Sequence, residues 1–307
     1  MINEGAKSQK QLEPSVSIII NCFNGEKYLA EAIDSVLSQT YSNWEIIFWD
    51  NQSSDESAAV FKRYRDDRLK YFYSPQHTLL YEARNYAIAK ASHDLIAFLD
   101  VDDLWLPDKL EKQITLFTDP TVGFVCGNYL INSERKSKSW RAFRRPIPSG
   151  WVLDDLLKFY FIGLVTLVVR RSALESLDYP FNSRFHIIGD LDLCVRLSFH
   201  WKLGCVQEPV AVYRLHGGNE SSKHRALHAD ELELWAQEMK DLEAIRMCRN
   251  SRFIKCHFVY IKAFNYVLQG KKSAAYKLLQ DLPWGLLKLR LWISLFLPTA
   301  IVRRIKN

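Results

Sequence analysis

The sequence predicts an α/β protein: a mostly parallel central sheet with helices on both faces. Three observations carry that expectation. Short apolar runs alternate with segments of helical period, each run stops at a polar residue, and a chain of 307 residues with 48% apolar content can bury a full core. Residues 16–20 are β-branched and apolar, end at Asn21, and are followed by Tyr28, Leu29, Ala32, Ile33, Val36 and Leu37 at helical spacing. Residues 45–49 repeat the run, Asp50-Asn51-Gln52-Ser53-Ser54-Asp55 stops it, and residues 58–64 read as the next helix. Residues 69–73 form a third strand, 82–91 an alanine-rich helix, and 94–99 the strand that delivers Asp100, Asp102 and Asp103. Strands are also expected over 122–128, 165–170 and 210–215. A polar, basic stretch at 132–149 reads as a mobile loop, and a helix opens near Asp190 and Asp192.

Open α/β sheets bind ligands outside the carboxyl ends of their strands. Asn21, Asp50, Asp100 and Asp102 all stand at such ends, so the topology gathers them on one rim. Close carboxylates suit a divalent cation, Mn²⁺ or Mg²⁺, shared with substrate phosphates. The competing reading is a turn in which one aspartate caps a helix over 107–118. Asp190 and Asp192 carry the same pair of readings, cap or rim, and His216 is either a solvated loop residue or part of the site.

Composition narrows the class. The six cysteines contain no C-x-x-C pair, so they read as reduced core residues of a cytosolic protein, and neither a zinc site nor a disulfide framework is indicated. Residues 1–14 are polar and lack the apolar stretch of a secretory signal, so export is not expected. No G-x-G-x-x-G follows the first strand, which disfavours a nicotinamide dehydrogenase. Net charge is +6, yet from Ser251 onward eleven basic residues face one acid, which leaves the body slightly acidic. That asymmetry points to an anionic partner for the tail. The uncharged run 291–302 has twelve residues and contains Pro298, whereas a membrane span needs roughly 20. Tryptophans among Lys and Arg suit a segment lying on an anionic membrane surface rather than nucleic acid. The alternative is a helix packed on the body or on a partner.

The pieces have a recognisable order: Val16-Ser17-Ile18-Ile19-Ile20 with Asn24, the Asp50 to Asp55 turn, Ala83-Arg84-Asn85, Asp100-Val101-Asp102-Asp103, Gly189-Asp190-Leu191-Asp192-Leu193, and Tyr213-Arg214-Leu215-His216. Over residues 14–222 this resembles the family 2 glycosyltransferases of the GT-A fold, of the kind that builds bacterial surface polysaccharide or lipopolysaccharide. The resemblance implies a polar tail at 1–14, a GT-A catalytic domain at 15–222 and a helical extension at 223–307. It implies a metal-dependent, inverting hexosyl- or N-acetylhexosaminyltransferase. The donor would be a nucleotide-diphosphate sugar and the acceptor a hydroxyl of a glycan or lipid-linked molecule, at the cytoplasmic face of a membrane.

By the same resemblance, Asp100 contacts the ribose, Asp102 the Mn²⁺ or Mg²⁺ ion, and His216 the metal or the diphosphate, with Asp103 in support. Asn21, Phe23, Asn24, Asp50 and Asn51 hold base and ribose, and Arg84 neutralises diphosphate. Asp190 is the catalytic base, and Asp192 is structural. Gly189 stands where the family pattern has Glu, and Asn51 where Asp is common. UDP-sugars therefore lead, with dTDP- and GDP-sugars open. Two other readings keep the fold: a nucleotidyltransferase acting on sugar phosphates, for which residues 21–27 hold only one glycine, and a non-catalytic membrane-associated scaffold.

Overall fold

The computed structural model describes residues 14–306, so the polar tail expected at the N-terminus lies, but for Pro14, outside the described residues. Strands β1 (Val16–Cys22), β2 (Trp44–Asp50), β3 (Leu69–Tyr73) and β4 (Leu95–Phe98) pair in parallel in the order β3-β2-β1-β4. β1, β2 and β4 are buried along their whole length, as apolar runs covered on both faces must be. Side chains alternate across the sheet. Ile18, Ile20 and Phe48 meet Leu29, Ile33 and Val36 of the helix Leu29–Leu37 on one face. Ile19, Ile47 and Phe98 meet Tyr81, Ala83 and Ala87 of the helix Leu80–Ile88 on the other.

Beyond β4 the sheet is no longer parallel throughout. β5 (Leu104–Trp105), β6 (Val122–Ser133), β7 (Lys138–Arg141), β8 (Val168–Arg170) and β9 (Lys202–Leu215) complete a nine-stranded sheet. β8 runs antiparallel to β4 and β6, β5 antiparallel to β9, and β6 parallel to β9. The expectation of a mostly parallel sheet thus holds for its first half. The regular alternation of one strand with one helix breaks at β5, which follows β4 with no helix between, and again at the β6–β7 hairpin, so the parallel direction is not carried on. The stretch 132–149 is likewise not a free loop. β6 continues to Ser133 and turns back through Ser137, at φ 47°, into β7. Asn128 then clasps Phe143 through both its backbone N–H and its carbonyl, at 3.2 and 2.7 Å, and Gln207 clasps Ile147 in the same way.

The C-terminal region is helical. The helix Arg225–Met239 packs into the same core as the sheet through Leu232, Trp235, Ala236 and Met239. The helix Arg252–Leu268 instead gathers a smaller core, where Val259, Ala263 and Val267 meet Ala275, Leu279, Leu291 and Val302 of the helices that follow. Asn250 joins the two regions by bonding the Asp154 carboxylate through its backbone N–H and its side-chain amide, at 2.7 and 2.9 Å.

Candidate active site

The parallel register sets Asn21 and Cys22 level with Trp49 and Asp50, and β4 ends one strand away, so the polar residues after β1, β2 and β4 share one rim. The β5–β9 register pairs Leu104 with Val212 in antiparallel. Two residues back on one strand and two forward on the other, Asp102 comes alongside Arg214, and the end of β9 carries His216 to it. Sequence positions more than a hundred apart meet because one short strand reverses direction.

The three aspartates do different work. Asp100 makes an ion pair with the buried guanidinium of Arg84, which also lies over the rings of Tyr81 and Phe181. Asp102 Oδ2 accepts from His216 Nε2 at 2.8 Å and from the Asn219 amide at 3.3 Å. Asp103 is fully enclosed and accepts the backbone N–H of Arg214 at 2.9 Å, fastening β9 to the turn. Burial, with the charge of Asp100 close by, raises the Asp102 carboxyl against the pull of His216. Burial and both neighbouring carboxylates push Asp103 well above its ordinary range. None of the three caps the following helix: it begins at Lys109 after Asp108, with no side-chain cap bond.

Asp190 sits in the first turn of the helix Gly189–Leu197, which also lacks a side-chain cap. Its Oδ1 accepts from the Tyr81 hydroxyl at 3.3 Å, a proton shared with the Ile187 carbonyl at 3.2 Å, and its Oδ2 accepts from the Tyr160 hydroxyl at 3.0 Å. Burial raises the Asp190 carboxyl, opposed by Tyr160 and the Arg84 charge. Burial and the Asp190 charge push both phenols well above their usual range, so they remain donors. Arg84 and Tyr81, three apart on one helix, therefore bridge Asp100 to Asp190. Sequence reasoning missed Tyr81 and Tyr160. The i, i+3 spacing to Arg84 could have found Tyr81, whereas nothing local marks Tyr160.

Gly189 is required by close approach. A Cβ there would meet the Tyr81 ring at 2.5 Å, so the Tyr81 side chain occupies the space a Glu would need. A carboxylate arrives from elsewhere: buried Glu231 accepts the backbone N–H groups of His186, Ile187 and Ile188 at 2.6, 2.9 and 3.2 Å and holds the turn that leads into Asp190. Asp192 is fully enclosed between Arg196, at 2.8 Å, and the Trp235 indole, at 3.1 Å, and so ties two helices together.

On the other side of the rim, Asn21 has both side-chain amide atoms buried without a partner among the described residues. Asp50 accepts from Ser53 N–H and Tyr71 hydroxyl, both at 2.7 Å. Asn51 exchanges bonds with Thr78, donating to its carbonyl at 2.8 Å and accepting its N–H at 3.3 Å. Asn24, at φ 54°, accepts the Ser54 N–H at 2.8 Å while its own N–H reaches Ser53, so it sews the first two loops together. Exposed Phe23 leans on His77, ring centroids 4.4 Å apart, and His77 is a further rim residue that sequence reasoning missed.

The strand ends of this α/β sheet thus bring Asp100 and Asp190 close to the buried guanidinium of Arg84. The chain belongs to glycosyl transferase family 2, whose pattern matches residues 17–177. Over 167 residues it is 36% identical to UDP-Glc:alpha-D-GlcNAc-diphosphoundecaprenol beta-1,3-glucosyltransferase WfgD of Escherichia coli, covering 54% of this chain and 64% of that protein. With WfaP of Escherichia coli, which carries the same enzyme description, identity is 28% over 255 residues, covering 83% and 93%. Among solved structures, Staphylococcus aureus TarS in complex with UDP-GlcNAc gives a TM-score of 0.62 at 16% identity, over 88% of this chain and 82% of that one. The mannosyltransferase PcManGT from Pyrobaculum calidifontis, in complex with GDP-Man and Mn²⁺, gives 0.65 at 16%, over 97% and 88%. At that identity the likeness is one of fold, and the fold is the GT-A arrangement that the resemblance implied.

Proposed function

We propose that the rim binds a nucleotide-diphosphate sugar and that Asp190 is the base of an inverting transfer to an acceptor hydroxyl. The observation that carries this reading is the suspension of Asp190 between two tyrosine hydroxyls beside the Arg84–Asp100 pair. Each carboxylate oxygen spends one acceptor site on a tyrosine and keeps another for the incoming hydroxyl. The acceptor oxygen forms its bond to the anomeric carbon, its proton passes to Asp190, and the diphosphate departs with the electron pair of the broken bond. Arg84 lies over the rings of Tyr81 and Phe181, and Tyr81 in turn bonds Asp190, so the arginine and the base are held through one side chain.

The rim residues also fit a divalent cation. Asp102 and His216 supply an oxygen and a nitrogen donor 2.8 Å apart, and the charge of Asp100, paired to Arg84, lies beside them. When bound there, Mn²⁺ or Mg²⁺ would neutralise charge on the leaving diphosphate. One rearrangement is required. Gly218 N–H donates to His216 Nδ1 at 3.0 Å, which assigns the ring proton to Nε2. His216 becomes a metal ligand through Nε2 only after the proton moves to Nδ1 and the Gly218 bond is given up.

For the donor, the UDP-sugar reading rests on the names of WfgD and WfaP and on TarS with UDP-GlcNAc, and PcManGT with GDP-Man keeps GDP-sugars in view. Unpartnered Asn21 and the Phe23–His77 wall are the groups best placed to meet the nucleoside, whereas Asn51 is already engaged by Thr78. Residues 15–222 form the catalytic unit, extended by the helix Arg225–Met239.

The tail supports a membrane-surface role. The helix Leu286–Phe296 buries Leu291 and turns Leu286, Leu289, Ile293 and Phe296 outward at steps of three and four residues, with Phe296 70% and Trp284 86% exposed. Lys288 and Arg290 flank this stripe, which is the pattern of a helix lying on an anionic bilayer. No described helix is long and apolar enough to cross a membrane. The acceptor we infer is lipid-linked and reached at the cytoplasmic face. The decisive experiment replaces Asp190 by Asn: transfer falls by about 10²–10⁴-fold while nucleoside-diphosphate affinity persists, and full turnover removes Asp190 from the chemistry.

A further inference from the structure

We infer a second metal site, formed by His186, Glu220 and His224 and suited to Zn²⁺ or a similar divalent transition ion. It is separate from the carboxylate rim. His186 Nε2 and His224 Nε2 lie 3.2 and 3.3 Å from the same Glu220 oxygen, Oε2, and the three ligand atoms fall within 4.8 Å of one another. For a tetrahedral ion with bonds of about 2.0–2.1 Å the ligand-to-ligand edge is roughly 3.3 Å. Two of the three edges are therefore already at metal-bound length, and the third is within 4.8 Å. Two imidazoles and one carboxylate with a fourth position open is a ligand set that zinc favours.

The protonation pattern separates this cluster from His216. There, Nδ1 is occupied by a backbone N–H, which keeps the proton on Nε2. Here, His186 Nδ1 is buried without a partner among the described residues. Without an ion, His186 Nε2 donates to Glu220; when an ion takes that place the proton passes to Nδ1, where no backbone N–H competes for the nitrogen. Lys223 takes the other Glu220 oxygen at 3.0 Å, which leaves Oε2 turned to the histidines. The two rings stand edge to face, centroids 5.3 Å apart at 89°, and both Nε2 atoms reach the same Glu220 oxygen. With Glu220 and His224 side chains 44% and 45% exposed, an ion reaches the site from solvent.

Its position gives it a consequence. His186 belongs to the turn that Glu231 holds ahead of Asp190, and Glu220 follows the His216–Asn219 loop by one residue. An ion here staples the segment after His216 to the turn before Asp190, and so rigidifies both ends of the rim from outside it.

The test uses the full chain, stripped with chelator, in the Asp102→Asn background, so that a failure of the donor-metal reading does not touch the result. Zn²⁺ alone is titrated against a chromophoric chelator, and Co²⁺ is added to record its visible absorption. One equivalent binds, thermal unfolding shifts upward, and Co²⁺ gives the intense bands of a four-coordinate site. His224→Ala and His186→Ala each weaken Zn²⁺ by roughly a hundredfold or more, since loss of even an outer-shell partner costs about 10–100-fold. His224→Cys, which restores a zinc ligand on a half-exposed side chain, recovers binding. Absence of a Zn²⁺ equivalent in the parent, or affinity unchanged in both alanine variants, overturns the assignment.

Discussion

Tyr160→Phe tests the base assignment without touching the base. The Tyr160 hydroxyl donates to Asp190 Oδ2 at 3.0 Å, and this bond opposes the burial that raises the Asp190 carboxyl. The base works ionised, so transfer is lost as pH falls through the raised pKa of the folded enzyme. Removing the hydroxyl removes a bond to the charged form and raises that pKa further, so the acid limb must move to higher pH. A hydrogen bond to a charged group is worth about 1.5–3 kcal/mol. Part of it survives against the protonated acid, and at 1.36 kcal/mol per unit the lower end displaces the limb by about one pH unit. The assay is kcat/KM for sugar transfer between pH 4 and 9, with Tyr81→Phe in parallel. Tyr81 shares its proton with Ile187 and sits at 3.3 Å, so its effect is smaller. A uniform loss of rate with the acid limb unmoved in Tyr160→Phe refutes the reasoning, because it assigns Tyr160 to packing alone.

Three further outcomes follow from the same geometry. Asp192→Ala strands the Arg196 guanidinium and the Trp235 indole, costing about 3 kcal/mol and lowering the unfolding temperature by several degrees; an unchanged temperature with collapsed activity would move Asp192 into the chemistry. His216→Ala removes the Nε2 partner of Asp102, so the Mn²⁺ concentration for half-activation rises on the order of tenfold, and an unmoved activation curve leaves His216 a structural partner of Asp102. Phe296→Glu on the exposed stripe weakens sedimentation with anionic liposomes by roughly tenfold or more, from the loss of about 1.5–3 kcal/mol of apolar burial, and equal partitioning of variant and parent argues against membrane contact.

Much of the rim was legible because it depends on local rules. Strands that are apolar throughout and followed by helical periods must lie inside a covered sheet, and their first polar residues must emerge at one edge. That reasoning located Asn21, Asp50, Asp100 and Asp102 in advance, and the order of short motifs led to the family. It did less well where direction is set by packing. β8 has three residues, too few to reveal its direction, and β7 closes a hairpin in a stretch whose composition looks like a loop.

By itself the sequence determined the first half of the sheet, its polar rim, the family, and a basic tail too short in its apolar run to span a bilayer. Tertiary structure decided which side chains hold the carboxylates of the proposed site. Tyr160 reaches Asp190 from thirty positions away, Glu231 grips the turn before it from a later helix, and His216 meets Asp102 because a two-residue strand runs antiparallel to β9. The physical reason is range: hydrophobic period and turn chemistry act over a few residues and leave a signature in the chain. A buried carboxylate takes its partners from whatever the closed core brings within 3 Å, and local sequence carries no record of that.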